Sequence, residues 1–125
     1  MDYLLVIKGK LNNLNDYIGA CRTNPYAGAK MKADNEQIVK CAIYSQMRKV
    51  RITSPVVMEY HWYEVNKRRD LDNISSFGRK VIQDALVDTK VLVNDGWKEI
   101  KGFSDSFDVD SENPRIEVEI KEVER

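Results

Sequence analysis

The stretch from residue 56 to residue 85 constrains the fold most, because its hydrophobic pattern changes period part-way along. Residues 56–65 alternate between apolar and polar side chains, which predicts a strand with one buried face. From Ile74 onward the apolar residues recur at steps of i, i+3, i+4, i+7, i+8 and i+11, which predicts an amphipathic helix. The chain is therefore predicted to have an α/β (α+β) fold.

Weaker patterns predict the other elements of the chain. Apolar and β-branched runs favour strands, and turn residues mark the breaks between elements. The predicted elements are a strand from Tyr3 to Lys8, a weak helix from Leu14 to Cys21, a turn at Asn24–Gly28, a helix that begins near Asp34 as its N-cap, a strand-like segment from Trp97 to Phe107, and an edge or surface strand over Ile116–Ile120.

Length and composition indicate one globular domain that covers residues 1–125. A chain of 125 residues with 42% hydrophobic and 32% charged residues can bury a core without disulfides or metals. No apolar run approaches the roughly 20 residues of a membrane span. The first residues also lack the basic and long apolar segments of a signal peptide, so we expect a cytoplasmic protein without a membrane partner.

Cysteine and histidine offer little catalytic chemistry in this sequence. Cys21 and Cys41 are not in a CxxC arrangement, and we expect buried, inert thiols rather than a disulfide. His61 is the one histidine, which leaves little room for a His-rich zinc site or a Ser-His-Asp relay. The chemistry must therefore come from other residues.

Three aspartates at the two ends of the predicted helix form the strongest chemical signal. Asp70 and Asp72 precede the helix, and Asp95 follows it in a turn. Side chains two positions apart in an extended segment point the same way, so two carboxylates can share one cation. Carboxylate oxygens suit hard cations such as Mg²⁺ or Mn²⁺. Since the chain returns after the helix, we expect Asp95 to approach Asp70 and complete a metal site.

Simpler roles are open for the same residues. A helix cap is the alternative for Asp72, and a salt bridge to Arg68 or Arg69 is the alternative for Asp70. Lys80 shares with Asp72 a helix face that the core does not cover, and its ammonium is expected to lean toward the acids. There it would stabilise charge on a bound phosphate, although a solvated lysine is the simpler interpretation.

Charge is unevenly distributed, although the formal net charge is zero. Residues 66–80 contain five cations and two acids, whereas the chain from Asp105 onward contains eight acids and three cations. A local basic patch attracts phosphates whatever the total charge, and a solvated surface is the alternative. Arg79 also competes with Lys80 for the catalytic role. The candidate DNA-binding residues are Lys67, Arg68, Arg69, Arg79, Lys98 and Lys101.

Three motifs carry a resemblance to a known family. They are Lys-Arg-Arg-Asp-Leu-Asp-Asn at 67–73, Lys-Val-Ile-Gln-Asp-Ala-Leu at 80–86, and Val-Leu-Val-Asn-Asp-Gly-Trp-Lys-Glu-Ile at 91–100. The chain resembles the RusA family of Holliday-junction resolvases, most closely its phage and prophage variants. That family commonly places its lysine four residues after the second aspartate, where this chain has Ser76. It also often has two acids where this chain has Asn94-Asp95.

The resemblance implies a small mixed sheet packed with helices, a homodimer, and cleavage of four-way DNA with Mg²⁺ or Mn²⁺. It implies that Asp70, Asp72 and Asp95 bind the metal and that Lys80 is the essential lysine. We therefore predict a crossover junction endodeoxyribonuclease that hydrolyses DNA phosphodiesters in recombination and repair. The alternatives are a non-catalytic DNA-binding or assembly protein, and a metal nuclease for other branched DNA such as flaps or forks.

Overall fold

A computed structural model describes residues 1–123 of the chain, and this part contains four strands and three helices. In chain order they are β1 (Asp2–Lys8), α1 (Leu14–Thr23), α2 (Pro25–Met47), β2 (Val56–Glu64), α3 (Leu71–Asp88), β3 (Ile100–Val109) and β4 (Arg115–Glu122).

The four strands form one mixed sheet in the order β1-β4-β2-β3. β4 is antiparallel to both β1 and β2, whereas β2 and β3 are parallel and are connected through α3. The prediction of a mixed α/β fold is confirmed. The strand predicted over Ile116–Ile120 is confirmed, and one of its sides faces outward as in a surface strand, but it is not an edge strand because β4 lies between β1 and β2. The alternation of apolar and polar residues indicates that one face of β4 is buried, but it does not indicate how many strands pair with it.

The core lies between the helices and one face of the sheet. Along β2 the side chains alternate between buried and partly exposed, as its sequence predicts. On α3 the buried side includes Ile74, Phe77, Val81 and Ile82, which confirms the predicted stripe. The opposite face of the sheet carries polar and charged side chains, among them Glu59 and the ion pairs made by Lys121 and Arg115.

The second helix begins earlier than the sequence suggested. Asn24 accepts hydrogen bonds from the amides of Tyr26 and Ala27, and Pro25 occupies the first turn, so α2 starts there and not near Asp34. The turn predicted at Asn24–Gly28 is thus a helix cap followed by helix. Proline needs no amide partner in a first helical turn, which is why this sequence suits a helix start.

Two smaller predictions also need correction. Cys21 and Cys41 are both exposed rather than buried. On α2 the buried side includes Val39 and Ile43, and Cys41 lies between them in sequence and so on the other side of the helix. β3 begins at Ile100 rather than Trp97. None of the helices within residues 1–123 is long and apolar enough to cross a membrane.

Candidate active site

The connection from β2 to α3 positions Asp70 and Asp72, and Arg69 anchors it from inside. Arg69 Nε and Nη2 donate hydrogen bonds to the two carboxylate oxygens of Glu64, at 2.8 and 2.9 Å. Its Nη1 donates to the carbonyl oxygen of Leu11 at 3.1 Å. Since both members of this ion pair are largely buried, the backbone just before Asp70 is held in place.

The carboxylates of Asp70 and Asp72 have no ion-pair or hydrogen-bond partner within residues 1–123. Asp70 is at the N-cap position of α3 but its side chain makes no cap hydrogen bond, and Asp72 is exposed in the first turn. The pairing of Asp70 with Arg69 is not found, because Arg69 binds Glu64. Two free carboxylates therefore stand at the start of α3, where the helix dipole favours negative charge.

Asp70 also lines an open cleft of about 400 Å³. β2 and β3 are parallel, so the C-terminal ends of both strands lie at the same end of the sheet. The connection from β2 to α3 starts from this end. The walls of the cleft include Asn66, Lys67, Leu71 and Phe107. This cleft gives solvent and ligands access to one side of Asp70.

The structure brings Lys80 and Asp95 together. Lys80 Nζ lies 3.5 Å from Asp95 Oδ2 and 3.0 Å from Asp84 Oδ1. The hydrogen bond to Asp84 and the charge of both carboxylates raise the pKa of Lys80 above that of an unpaired lysine. Its side chain is 60% exposed and can still meet a ligand. The ammonium contacts the next turn of α3 and the loop beyond it, and not the first turn as the sequence suggested.

An ion-pair network extends from this lysine into α2. Asp84 Oδ2 accepts a hydrogen bond from Lys32 Nζ at 2.7 Å, and Lys32 also lies 3.3 Å from Glu36. Burial alone would raise the pKa of Asp84, but the hydrogen bonds from Lys32 and Lys80 lower it below its ordinary value. The network therefore connects α2, α3 and the loop of Asp95 through one shared carboxylate.

Arg79 contacts two side chains of β3. It makes a short hydrogen bond with Asp105 on β3, and its guanidinium lies over the ring of Phe103, 4.5 Å from the centroid. Asp105 also accepts a hydrogen bond from the indole nitrogen of Trp62 at 2.9 Å. Arg79 therefore holds α3 against β3, which leaves Lys80 as the more accessible cation of the two.

The six candidate DNA-binding residues divide into two groups. Arg69 and Arg79 are largely buried in the ion pairs described above. The other four are exposed and make no ion pair with any residue from 1 to 123; they are Lys67, Arg68, Lys98 and Lys101. The first two adjoin Asp70 in sequence and the last two follow Asp95.

The three aspartates are not gathered around one point. Among residues 1–123 no group of three or more His, Cys, Asp or Glu side chains is placed to hold a metal ion. Asp72 and Lys80 are eight residues apart on one helix, a rise of roughly 12 Å. The donor chemistry at the start of α3 still fits Mg²⁺, which is often held by one or two carboxylates with water and phosphate as the other ligands.

No protein-family model matches the chain, and no curated protein matches it. The resemblance to the RusA family therefore stays a prediction from the motifs.

Sequence reasoning missed Asp84 and Lys32 as part of this site. Lys80 and Asp84 stand four residues apart on a predicted helix, a spacing at which opposite charges meet, so this pair was readable from the sequence. The contact between Lys32 and Asp84 spans 52 residues and depends on how α2 packs on α3. A contact between residues so far apart in sequence cannot be predicted from a local pattern.

Proposed function

We propose that this protein is a cytoplasmic, metal-dependent endodeoxyribonuclease that cuts four-way DNA junctions as a homodimer. The observation that supports it best is the 3.5 Å approach of Lys80 on α3 to Asp95 in the loop that follows, two residues that the motifs single out. Asp72 lies on the same helix as Lys80, with its carboxylate free.

Asp70 and Asp72, with Asp95 as the third candidate, would hold the divalent cation. When bound, Mg²⁺ or Mn²⁺ supplies Lewis acidity toward a phosphate oxygen and lowers the pKa of a coordinated water. Lys80 stabilises negative charge on the phosphate, and its ion pairs with Asp84 and Asp95 hold its ammonium in position. Paired cuts in a junction with twofold symmetry require two identical sites, which is the reason to propose a homodimer.

The exposed cations supply the DNA contacts of this proposal. Lys67 and Arg68 adjoin the free aspartates, and Lys98 and Lys101 follow Asp95. Contacts to phosphate carry no sequence information, so binding should depend strongly on salt and weakly on base sequence.

The test is cleavage of a synthetic four-way junction with Mg²⁺ or Mn²⁺. Asp72→Asn is expected to leave no product above background, and Lys80→Met to slow cleavage by about 100-fold or more. Asp34→Asn is the matched control, because Asp34 is an exposed acid that pairs only with the exposed Lys30. Equal product from the native protein and Asp72→Asn would exclude the mechanism. Duplex, flap and fork DNA in parallel reactions would identify another branched substrate.

A non-catalytic DNA-binding protein is the second candidate. The observation in its favour is that the three aspartates are not gathered into one cluster within residues 1–123. It predicts junction binding that EDTA does not change and no nicked product at any metal concentration.

A further inference from the structure

The segment after Glu36 is unusual in its charge. Residues 37–58 contain no Asp or Glu, although α2 ends there and three cations follow its last turn. Arg48, Lys49 and Arg51 are all exposed. Acids normally intersperse with bases on a protein surface, so an acid-free segment of this length creates a locally positive potential.

Two further lysines come to the same end of the molecule. Ile52 forms a parallel bridge with Leu92, and the amide of Ile52 donates to the carbonyl oxygen of Val91 at 2.8 Å. A cleft of about 400 Å³ between these segments is lined by residues 52–55 on one side and by Leu92, Val93, Lys98 and Glu99 on the other. We call this surface the basic end; its cations are Arg48, Lys49, Arg51, Lys90 and Lys98.

None of these five cations is neutralised by an acid within residues 1–123. Arg51 donates hydrogen bonds only to backbone carbonyls at the end of α2. The acid nearest in sequence to Lys98 is Glu99, whose carboxylate accepts a hydrogen bond from the amide of Gly96. Elsewhere the opposite situation is common, and lysines such as Lys32 and Lys121 are each held by two carboxylates.

Lys90 occupies a backbone position that favours glycine. Its φ is 67°, and it is the one non-glycine residue with positive φ in the described chain. Side chains with a Cβ atom pay a conformational cost in this region, which glycine avoids. Lys90 therefore ends α3 in a left-handed conformation with its side chain exposed, and a glycine at this position would keep the same backbone.

An exposed indole adjoins the basic end. Trp97 is 94% exposed, and Val93 beside it in the same loop is 71% exposed. The loop is nevertheless ordered, because the amides of Glu99 and Ile100 both donate to the carbonyl oxygen of Gly96. Trp97 therefore presents both faces of a large aromatic ring to solvent from a fixed turn, next to Lys98.

We infer that the basic end binds the phosphate backbone of DNA and that Trp97 stacks on an unpaired base. Unpaired cations release counterions from phosphates when DNA binds, and an exposed aromatic ring beside them accepts a base that has left the duplex stack. Bases beside the branch point of a four-way junction lose a stacking neighbour when the arms open, so they leave the stack at a lower cost than bases within a continuous duplex. This inference rests on the proposed function only in taking four-way DNA as the ligand. It adds a DNA-binding surface that does not contain Asp70, Asp72 or Asp95.

The experiment measures binding of a fluorescein-labelled four-way junction by anisotropy, in EDTA and over a series of KCl concentrations. The first variant combines Arg48→Gln, Lys49→Gln and Lys90→Gly, where glycine suits the positive φ; Arg51 is kept because it caps α2. We expect Kd to rise about 10- to 100-fold and the slope of log Kd against log salt to fall by two to three, since each phosphate contact contributes about 0.9. The control, with the same charge change elsewhere, combines Arg22→Gln, Lys30→Gln and Lys121→Gln.

The second variant is Trp97→Ala. We expect it to weaken junction binding about 5- to 100-fold and to leave binding of an intact duplex of the same length almost unchanged. An equal effect on junction and duplex would overturn the stacking role. Circular dichroism of each variant establishes that its fold is retained.

Unchanged affinity and salt slope in the triple variant would overturn the inference. A second result would also overturn it. In that result the native protein does not bind DNA but binds phosphatidylserine vesicles or an acidic polypeptide such as polyglutamate, and the triple variant loses that binding. If the native protein does not cleave the junction but the triple variant binds it less tightly than the control, the nuclease proposal fails and this inference stands. If the native protein cleaves the junction and the triple variant binds it as tightly as the control, the nuclease proposal stands and this inference fails.

Discussion

Gly78 and Trp62 meet where α3 crosses β2. A Cβ atom on Gly78 would lie 2.7 Å from Cη2 and 2.8 Å from Cζ3 of Trp62, well inside van der Waals contact. The indole cannot retreat easily, because it is 2% exposed and donates a hydrogen bond to Asp105. The absence of a side chain at Gly78 therefore sets how closely α3, and with it Lys80, approaches the sheet.

Gly78→Ala is expected to lower the free energy of unfolding by about 1–3 kcal/mol, because the added methyl group overpacks the core. Gly19→Ala is the matched control, since Gly19 also lies in a helix but nothing is within 4 Å of its Cβ position. There the same substitution should raise stability by about 0.5–1 kcal/mol. Urea denaturation measures both. Similar changes in the two variants would contradict the close contact with Trp62.

At the scale of elements, α2 and α3 are joined through Asp84. This one carboxylate on α3 contacts Lys32 on α2 and Lys80 on its own helix, and Lys80 also contacts Asp95 in the following loop. Because the hydrogen bonds and charges of Lys32 and Lys80 outweigh burial and lower the pKa of Asp84, its contribution to stability depends on pH.

Asp84→Asn is expected to weaken the dependence of stability on acid. Its pKa is lowered in the folded protein, so its contribution is fully present above the ordinary pKa of about 3.9 and is lost as pH falls through the lower folded value. The free energy of unfolding should therefore fall more steeply below about pH 4 in the native protein than in Asp84→Asn. Urea denaturation from pH 7 to pH 2 measures it. Parallel curves would show that the network contributes nothing.

The elements with a strong period were predictable, and those defined by their neighbours were not. β2 and α3 follow from their hydrophobic patterns, because each buries one face. The start of α2 was missed because Asn24 and Pro25 suit a turn as well as a helix start, and only the following residues decide between them. The central place of β4 depends on which strands pair with it, and alternation along one strand does not carry that information.

The candidate site divides in the same way. The return of the chain after α3 was expected to bring Asp95 toward Asp70, but it places Asp95 beside Lys80. The i, i+4 spacing made the contact of Lys80 with Asp84 predictable, but its contact with Asp95 depends on the path of the loop after α3. The exposure of Cys21 and Cys41 likewise depends on helix packing and not on residue type.

At the scale of the molecule, helices cover one face of the sheet, and β1 is one of its two edge strands. On β1 the side chain of Gln46 bonds the amide and the carbonyl of Val6, at 2.9 and 2.6 Å, which occupies part of that edge. β4 has strand partners on both sides and holds β1 to the rest of the sheet. The order of the strands therefore makes the last strand of the described chain the one that connects the others.

A chain that ends at Asn113 is expected not to fold, because it lacks β4. β1 would then have no strand partner, and β2 would pair with β3 alone. A single strand pair with one buried face seldom holds a domain together. Circular dichroism and urea denaturation are the measurements; a cooperative transition in the shortened chain would contradict this role of β4.

The position of β4 also bears on biosynthesis. A ribosome makes β4 after all the other described elements, so the backbone groups of β1 and β2 that pair with β4 stay without a strand partner until that segment emerges. Slow elongation would lengthen that interval, and chaperones that shield unpaired strands would matter most during it.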